Sequence, residues 1–77
     1  MPLQLLTRFA SLDRSGFDAD AENRSRAGLG QLQVWTEDGG AAWVLFSVND
    51  RGKARAWLDK SASLGHAPEA HHFLETT

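Results

Sequence analysis

QLQVWTEDGGAAWVLFSV, residues 31–48, reads as two strands joined by a tight turn. Asp38-Gly39 lies between runs rich in Val, Trp, Thr, Leu and Phe, and glycine supplies the positive φ that a primed two-residue hairpin turn requires. From Gly30 to Thr36 the alternation predicts Leu32, Val34 and Thr36 on one face, with Gln31, Gln33 and Trp35 on the other. After the turn, Ala42, Val44, Phe46 and Val48 share a face, and Trp43, Leu45 and Ser47 lie opposite. One side of the hairpin is aliphatic and must be covered by helices. The other mixes tryptophan with glutamine and serine.

Outward from the hairpin, both flanks carry helix signals. Asn49 or Asp50 can cap a helix running to about Leu64, with Ala54, Trp57, Leu58, Ser61 and Ala62 at i, i+3, i+4, i+7 and i+8. Trp57 on that stripe reads as core. Gly65 and Pro68 then end the helix. Upstream, Ser11 can cap a helix to about Ala27, stopped by Gly28 or Gly30, with Arg24 and Arg26 suited to the negative C-terminal end. Its apolar stripe is narrow, and Asp20 and Arg24 read as an exposed i, i+4 pair. LQLLTRFA, residues 3–10, alternates as a first strand with Leu3, Leu5, Thr7 and Phe9 on one side. AHHFLE, residues 70–75, reads as the last.

The order β-α-β-β-α-β makes two split βαβ units joined by the central hairpin, which is the ferredoxin-like arrangement. It predicts a single α+β domain: a four-stranded antiparallel sheet in the order 4-1-3-2 with two helices on one face and the opposite face uncovered. Seventy-seven residues bury only about 60% of their unfolded surface. With no cysteine there is neither a disulfide framework nor a thiolate metal site, so a second subunit is the expected source of added stability.

A formal charge of −2 gives no general attraction to phosphate backbones and no polybasic membrane anchor. The longest wholly apolar run, Ala41–Phe46, falls far below the roughly 20 residues of a membrane span. No signal-like segment opens the sequence. The expectation is a soluble cytoplasmic protein with neither nucleic acid nor membrane as a partner.

The run from Leu29 to Leu58, LGQLQVWTEDGGAAWVLFSVNDRGKARAWL, resembles the small dimeric α/β-barrel proteins. A strand ending in tryptophan, a charged Gly-containing turn, a second strand closing on "ND" and a helix carrying "aWl" recur there, notably in short families of unknown function. The resemblance implies two sheets packed face to face across a two-fold axis, with a pocket between sheet and helices or in the barrel interior. That group spans cofactor-independent monooxygenases, isomerases and haem-degrading enzymes, so the fold selects no chemistry.

The candidate surface is the uncovered face: Arg8, Gln33, Trp35, Trp43 and Leu45, together with His72 or His71 according to the register of the last strand. As a homodimer interface, its aromatics are anchors. As a small-molecule site, Arg8 holds an anionic group and a tryptophan packs on a ring or acyl group. The enzymatic alternative, a cofactor-independent monooxygenase or isomerase, needs Arg8, Trp35 and a strand-four histidine around one cavity. Base stacking on the tryptophans is disfavoured, because Arg8 is the one obvious cation on the face. His71 and His72 point to opposite faces of a strand and cannot chelate one ion together, and His66 sits on a loop, so no metal and no cofactor are expected. Asp50-Arg51-Gly52-Lys53 lacks the glycine spacing of a phosphate loop. No Gly-x-Ser-x-Gly elbow frames a serine.

Overall fold

A computed structural model describes residues 2–65 and 67–76; His66, read above as a loop histidine, lies outside the described residues. Strand β1 (Leu3–Phe9) leads into two short helices, α1 (Arg14–Ala19) and α2 (Ala21–Arg26). The hairpin strands β2 (Leu29–Thr36) and β3 (Ala42–Val48) follow, then α3 (Arg51–Ser63) and β4 (Ala70–Glu75). The four strands form one antiparallel sheet in the order β2-β3-β1-β4. The architecture is α+β.

Every second residue of β1 and β3 turns to the helices. Leu5, Val44 and Phe46 are wholly buried there, and Phe9 and Val48 lie beside them. Helix α1 adds Phe17 and α3 adds Ala54, Trp57 and Leu58 to the same cluster. The Phe46 ring is its hub, with centroids 6.4 Å from Phe17 and 5.9 Å from Trp57. Thr7 is the polar member of this layer; its hydroxyl donates to the Val44 carbonyl at 3.0 Å, which removes the cost of burying an unpaired group.

Helix α3 follows its sequence signals except at Ala62, expected on the buried stripe but exposed in the last turn. The Asp50 side chain accepts from the Lys53 N–H at 3.1 Å, the buried residues are Ala54, Trp57, Leu58 and Ser61, and Gly65 takes the left-handed conformation just past the end.

Three further expectations are corrected. The single first helix is broken at Asp20, whose ψ of 2° leaves the helical region. At the break the Phe17 carbonyl accepts from the Asp20 N–H at 3.2 Å in a tightened last turn, and also from the Arg24 guanidinium. Arg24 is therefore drawn inward to 5% exposure rather than lying on a solvated face. The helix also starts later than Ser11, at an Asp13 cap that makes no side-chain hydrogen bond.

The hairpin turn is one residue longer than a primed two-residue turn. Glu37 N–H donates to the Ala41 carbonyl at 2.7 Å and Gly40 N–H to the Glu37 carbonyl at 3.1 Å, enclosing Asp38-Gly39-Gly40. In the turn positive φ falls on Gly39 and Gly40, both at 98°, and among the described residues on no non-glycine residue, so Asp38 cannot be the first centre of a type I′ turn.

Strand β2 also carries a bulge between Gln31 and Gln33. Gln31 pairs with Phe46 and so falls on the helix side, whereas Gln33 and Trp35 pair with Leu45 and Trp43 on the uncovered side. Leu32, the extra residue, is half exposed instead of holding a helix.

Candidate functional site

The side of the sheet away from the helices is built from three cross-strand rows. Trp35, Trp43, Arg8 and Ala70 form the first, and Gln33, Leu45, Leu6 and His72 the second. Gly30, Ser47, Gln4 and Leu74 form the third. Directly opposed residues in an antiparallel pair share a face, so the register gathers Arg8, Gln33, Trp35, Trp43 and Leu45 on one surface. It also assigns the histidines: His72 opposes Leu6 on the uncovered side, whereas His71 opposes Thr7 on the helix side. There His71 meets Phe73 edge to face, at the margin where Arg51 and Arg55 of α3 lie over the Phe73 ring. Both histidines are exposed.

Trp35 and Leu74 remain 45% and 43% exposed at opposite ends of the surface, whereas Leu6, Trp43 and Leu45 in its middle are half-buried by their neighbours. The face thus has an apolar centre with glutamine, serine and histidine around it.

Arg8 is not a free cation. Its guanidinium binds Glu37 at 2.9 Å and also Glu69, and lies 5.7 Å from the Trp43 ring centroid. Trp43 Nε1 donates to the other Glu37 oxygen at 2.8 Å. One arginine therefore clamps the hairpin loop to the segment entering β4, and two carboxylates offset its charge. The hydrogen bond to Glu37 raises the Arg8 pKa above its usual value. The bonds from Arg8 and then Trp43 hold the Glu37 carboxyl below the usual carboxylate range. An anionic ligand would have to displace one of these carboxylates, so the arrangement weakens the reading of Arg8 as an anion holder.

A second concavity, which the residue pattern did not reveal, opens on the opposite side. It is a cleft of about 520 Å³ between the end of β1, α1 and the last turns of α3. Phe9, Leu12, Phe17, Trp57 and Leu64 give it apolar walls, and Asp20, Arg24 and Ser61 supply polar groups. The Arg24 guanidinium stacks 3.8 Å from the Phe17 ring centroid, and Trp57 Nε1 donates to Asp20 Oδ2 at 3.2 Å. Burial pulls the Arg24 pKa below its usual value, with Asp20 and Asp18 opposing that shift. The signal that could have found this cleft is an arginine, Arg24, seven residues after the sole apolar anchor of a weak helix. It becomes informative only once the helix is known to break.

Among the described residues no group of three His, Cys, Asp or Glu side chains could hold a metal ion, and no helix is long and apolar enough to cross a membrane. No family model, curated protein or solved structure matches the chain.

Proposed function

We propose that this is a soluble ferredoxin-like domain that acts as a homodimer through its uncovered sheet face, in the manner of the dimeric α/β barrels. The observation that carries the reading is the face itself: an apolar centre of Leu6, Leu45 and Trp43 inside a polar rim, with its one arginine already paired to Glu37 and Glu69. The apolar centre is desolvated at little cost, while the Arg8, Glu37 and Glu69 cluster, which carries a net negative charge and is part-exposed, stays in the solvated rim. The three rows also suit self-association. A two-fold axis running across the strands at the middle row sets the tryptophan row of one copy over the Gly30, Ser47, Gln4 and Leu74 row of the other, large side chains against small.

In this reading any partly apolar ligand held at the sheet face sits between the two copies, against Trp35 and Gln33. The enzymatic alternative, a cofactor-independent monooxygenase or isomerase, gains no support from a protomer in which Arg8 is bound by two carboxylates and both histidines are exposed.

Sedimentation velocity across a concentration series tests the proposal. A dimer persisting at micromolar concentration is expected, together with a melting temperature that rises with protein concentration. A monomer throughout the series would remove it.

A further inference from the structure

The cleft on the helix side combines three features that a packed core does not need. First, Arg24 is buried, yet its Nη1 serves the Phe17 carbonyl while Nε and Nη2 make no hydrogen bond to the described residues. Second, Ser61 is 8% exposed and its hydroxyl also lacks a partner among them. Neither group is sealed off, since no wholly enclosed polar side-chain atom goes unpaired, and both residues line the cleft. Third, the nearest carboxylate offsets part of the Arg24 charge without hydrogen-bonding to it. Asp20 stands 3.8 Å from Arg24 Nη1, but its Oδ1 accepts from Asn23 Nδ2 at 2.7 Å and its Oδ2 from Trp57 Nε1 at 3.2 Å. Glu69, at the mouth, is bound to Arg8.

We propose that this cleft binds a small monocarboxylate with a short apolar body, its carboxylate on Arg24 and Ser61 and its body against Phe9, Leu12 and Phe17. A carboxylate accepts from two guanidinium N–H groups and a hydroxyl at once, the set left open here. A volume of about 520 Å³ falls within the usual span of small-ligand pockets, and its aromatic walls suit an apolar chain or ring. The guanidinium is held in place by the Phe17 ring and carbonyl, so little ordering remains to be done on binding. This site is separate from the sheet face and does not rest on the dimer.

The three tryptophans make the test internal to the molecule: Trp57 lines the cleft, whereas Trp35 and Trp43 lie on the sheet face. Hexanoate, hexanol and hexylamine are each titrated into the full chain while the three indole N–H resonances are followed by NMR. Hexanoate should move the Trp57 indole and leave the other two in place, with hexanol about tenfold weaker and hexylamine weaker still. Arg24→Gln should weaken hexanoate about tenfold or more, and Ser61→Ala by roughly threefold, with hexanol little changed by Arg24→Gln. If Arg24→Gln does not fold, Ser61→Ala and the indole pattern still decide. The proposal is overturned if hexylamine binds as well as hexanoate, if the Trp35 or Trp43 resonance moves in place of Trp57, or if no resonance moves by about 10 mM.

Discussion

Leu45→Glu separates the sheet face from the core of the protomer. Leu45 lies in the middle row, opposite Leu6 and Gln33, and is half-buried before any partner arrives. Completing its burial in a dimer is worth about 1 kcal/mol, half or less of the usual value for a whole leucine. Placing an unpaired carboxylate there costs about 1–3 kcal/mol more. Two-fold symmetry repeats the change on both copies, so dimerisation should lose about 4–8 kcal/mol, at least ~10³ in Kd. The protomer should lose about 1 kcal/mol, the part of the leucine's burial already made within it, because the side chain faces away from Phe46 and the helices. Sedimentation equilibrium reads the first quantity, and urea unfolding of the dilute protein reads the second.

The control is Gln31→Glu, since the bulge in β2 moves Gln31 to the helix side and it should leave the dimer intact. Uninterrupted alternation would have set Gln31 on the open face, opposite Ser47. A Leu45→Glu protein that remains dimeric would refute the assignment of the interface, and one that unfolds would show Leu45 to belong to the core. If Gln31→Glu also dissociates the dimer, the register argument fails.

Phe46→Ala should cost about 3–5 kcal/mol in urea unfolding. The Phe46 ring is wholly buried between Phe17 and Trp57, and the whole stability expected of such a chain is roughly 4–12 kcal/mol, so a loss below about 1 kcal/mol would show that the core does not converge there. Asp50→Ala should cost about 1 kcal/mol, whereas Asp13→Ala should stay within about 0.5 kcal/mol, because only Asp50 accepts a capping hydrogen bond from its helix. Equal costs in thermal melts would contradict this. Glu37 has a folded pKa below its unfolded one, so the unfolded chain takes up the proton first as pH falls. Its contribution to stability should be complete above about pH 5 and lost as pH drops below the ordinary value of roughly 4.3. The melting-temperature difference between the unmodified chain and Glu37→Gln should therefore be flat at neutral pH and shrink in acid. A difference that grows in acid would reverse the assignment.

Much of the fold is legible because it depends on neighbours in sequence. The period-two pattern of Leu3 to Phe9 and Ala42 to Val48 marks which side chains turn inward, since successive residues of a strand alternate faces whatever the strand pairs with. The stripe Ala54, Trp57, Leu58 and Ser61, with Asp50 before it and Gly65 after, specifies α3 by the same local rule. The candidate surface was partly legible too. Arg8, Trp43 and Leu45 follow from alternation, and Gln33 and Trp35 join them because the bulge precedes both.

What the tertiary structure decided are the features set by partners far along the chain. The bulge at Leu32 shifts the phase of β2 only when the strand is laid against β3, and the choice of His72 over His71 for the open face comes from the register of β4 on β1. Arg8 meets Glu37 and Glu69 across 29 and 61 residues of sequence, a closure that no spacing rule anticipates. Arg24 looks like an exposed helix residue until the break at Asp20 turns α2 so that its guanidinium reaches the Phe17 carbonyl and ring. Alternation and helical stripes report which side of an element is apolar. What each polar group on the other side does depends on which partner the fold brings within about 3 Å, and that distance is set by the whole chain at once.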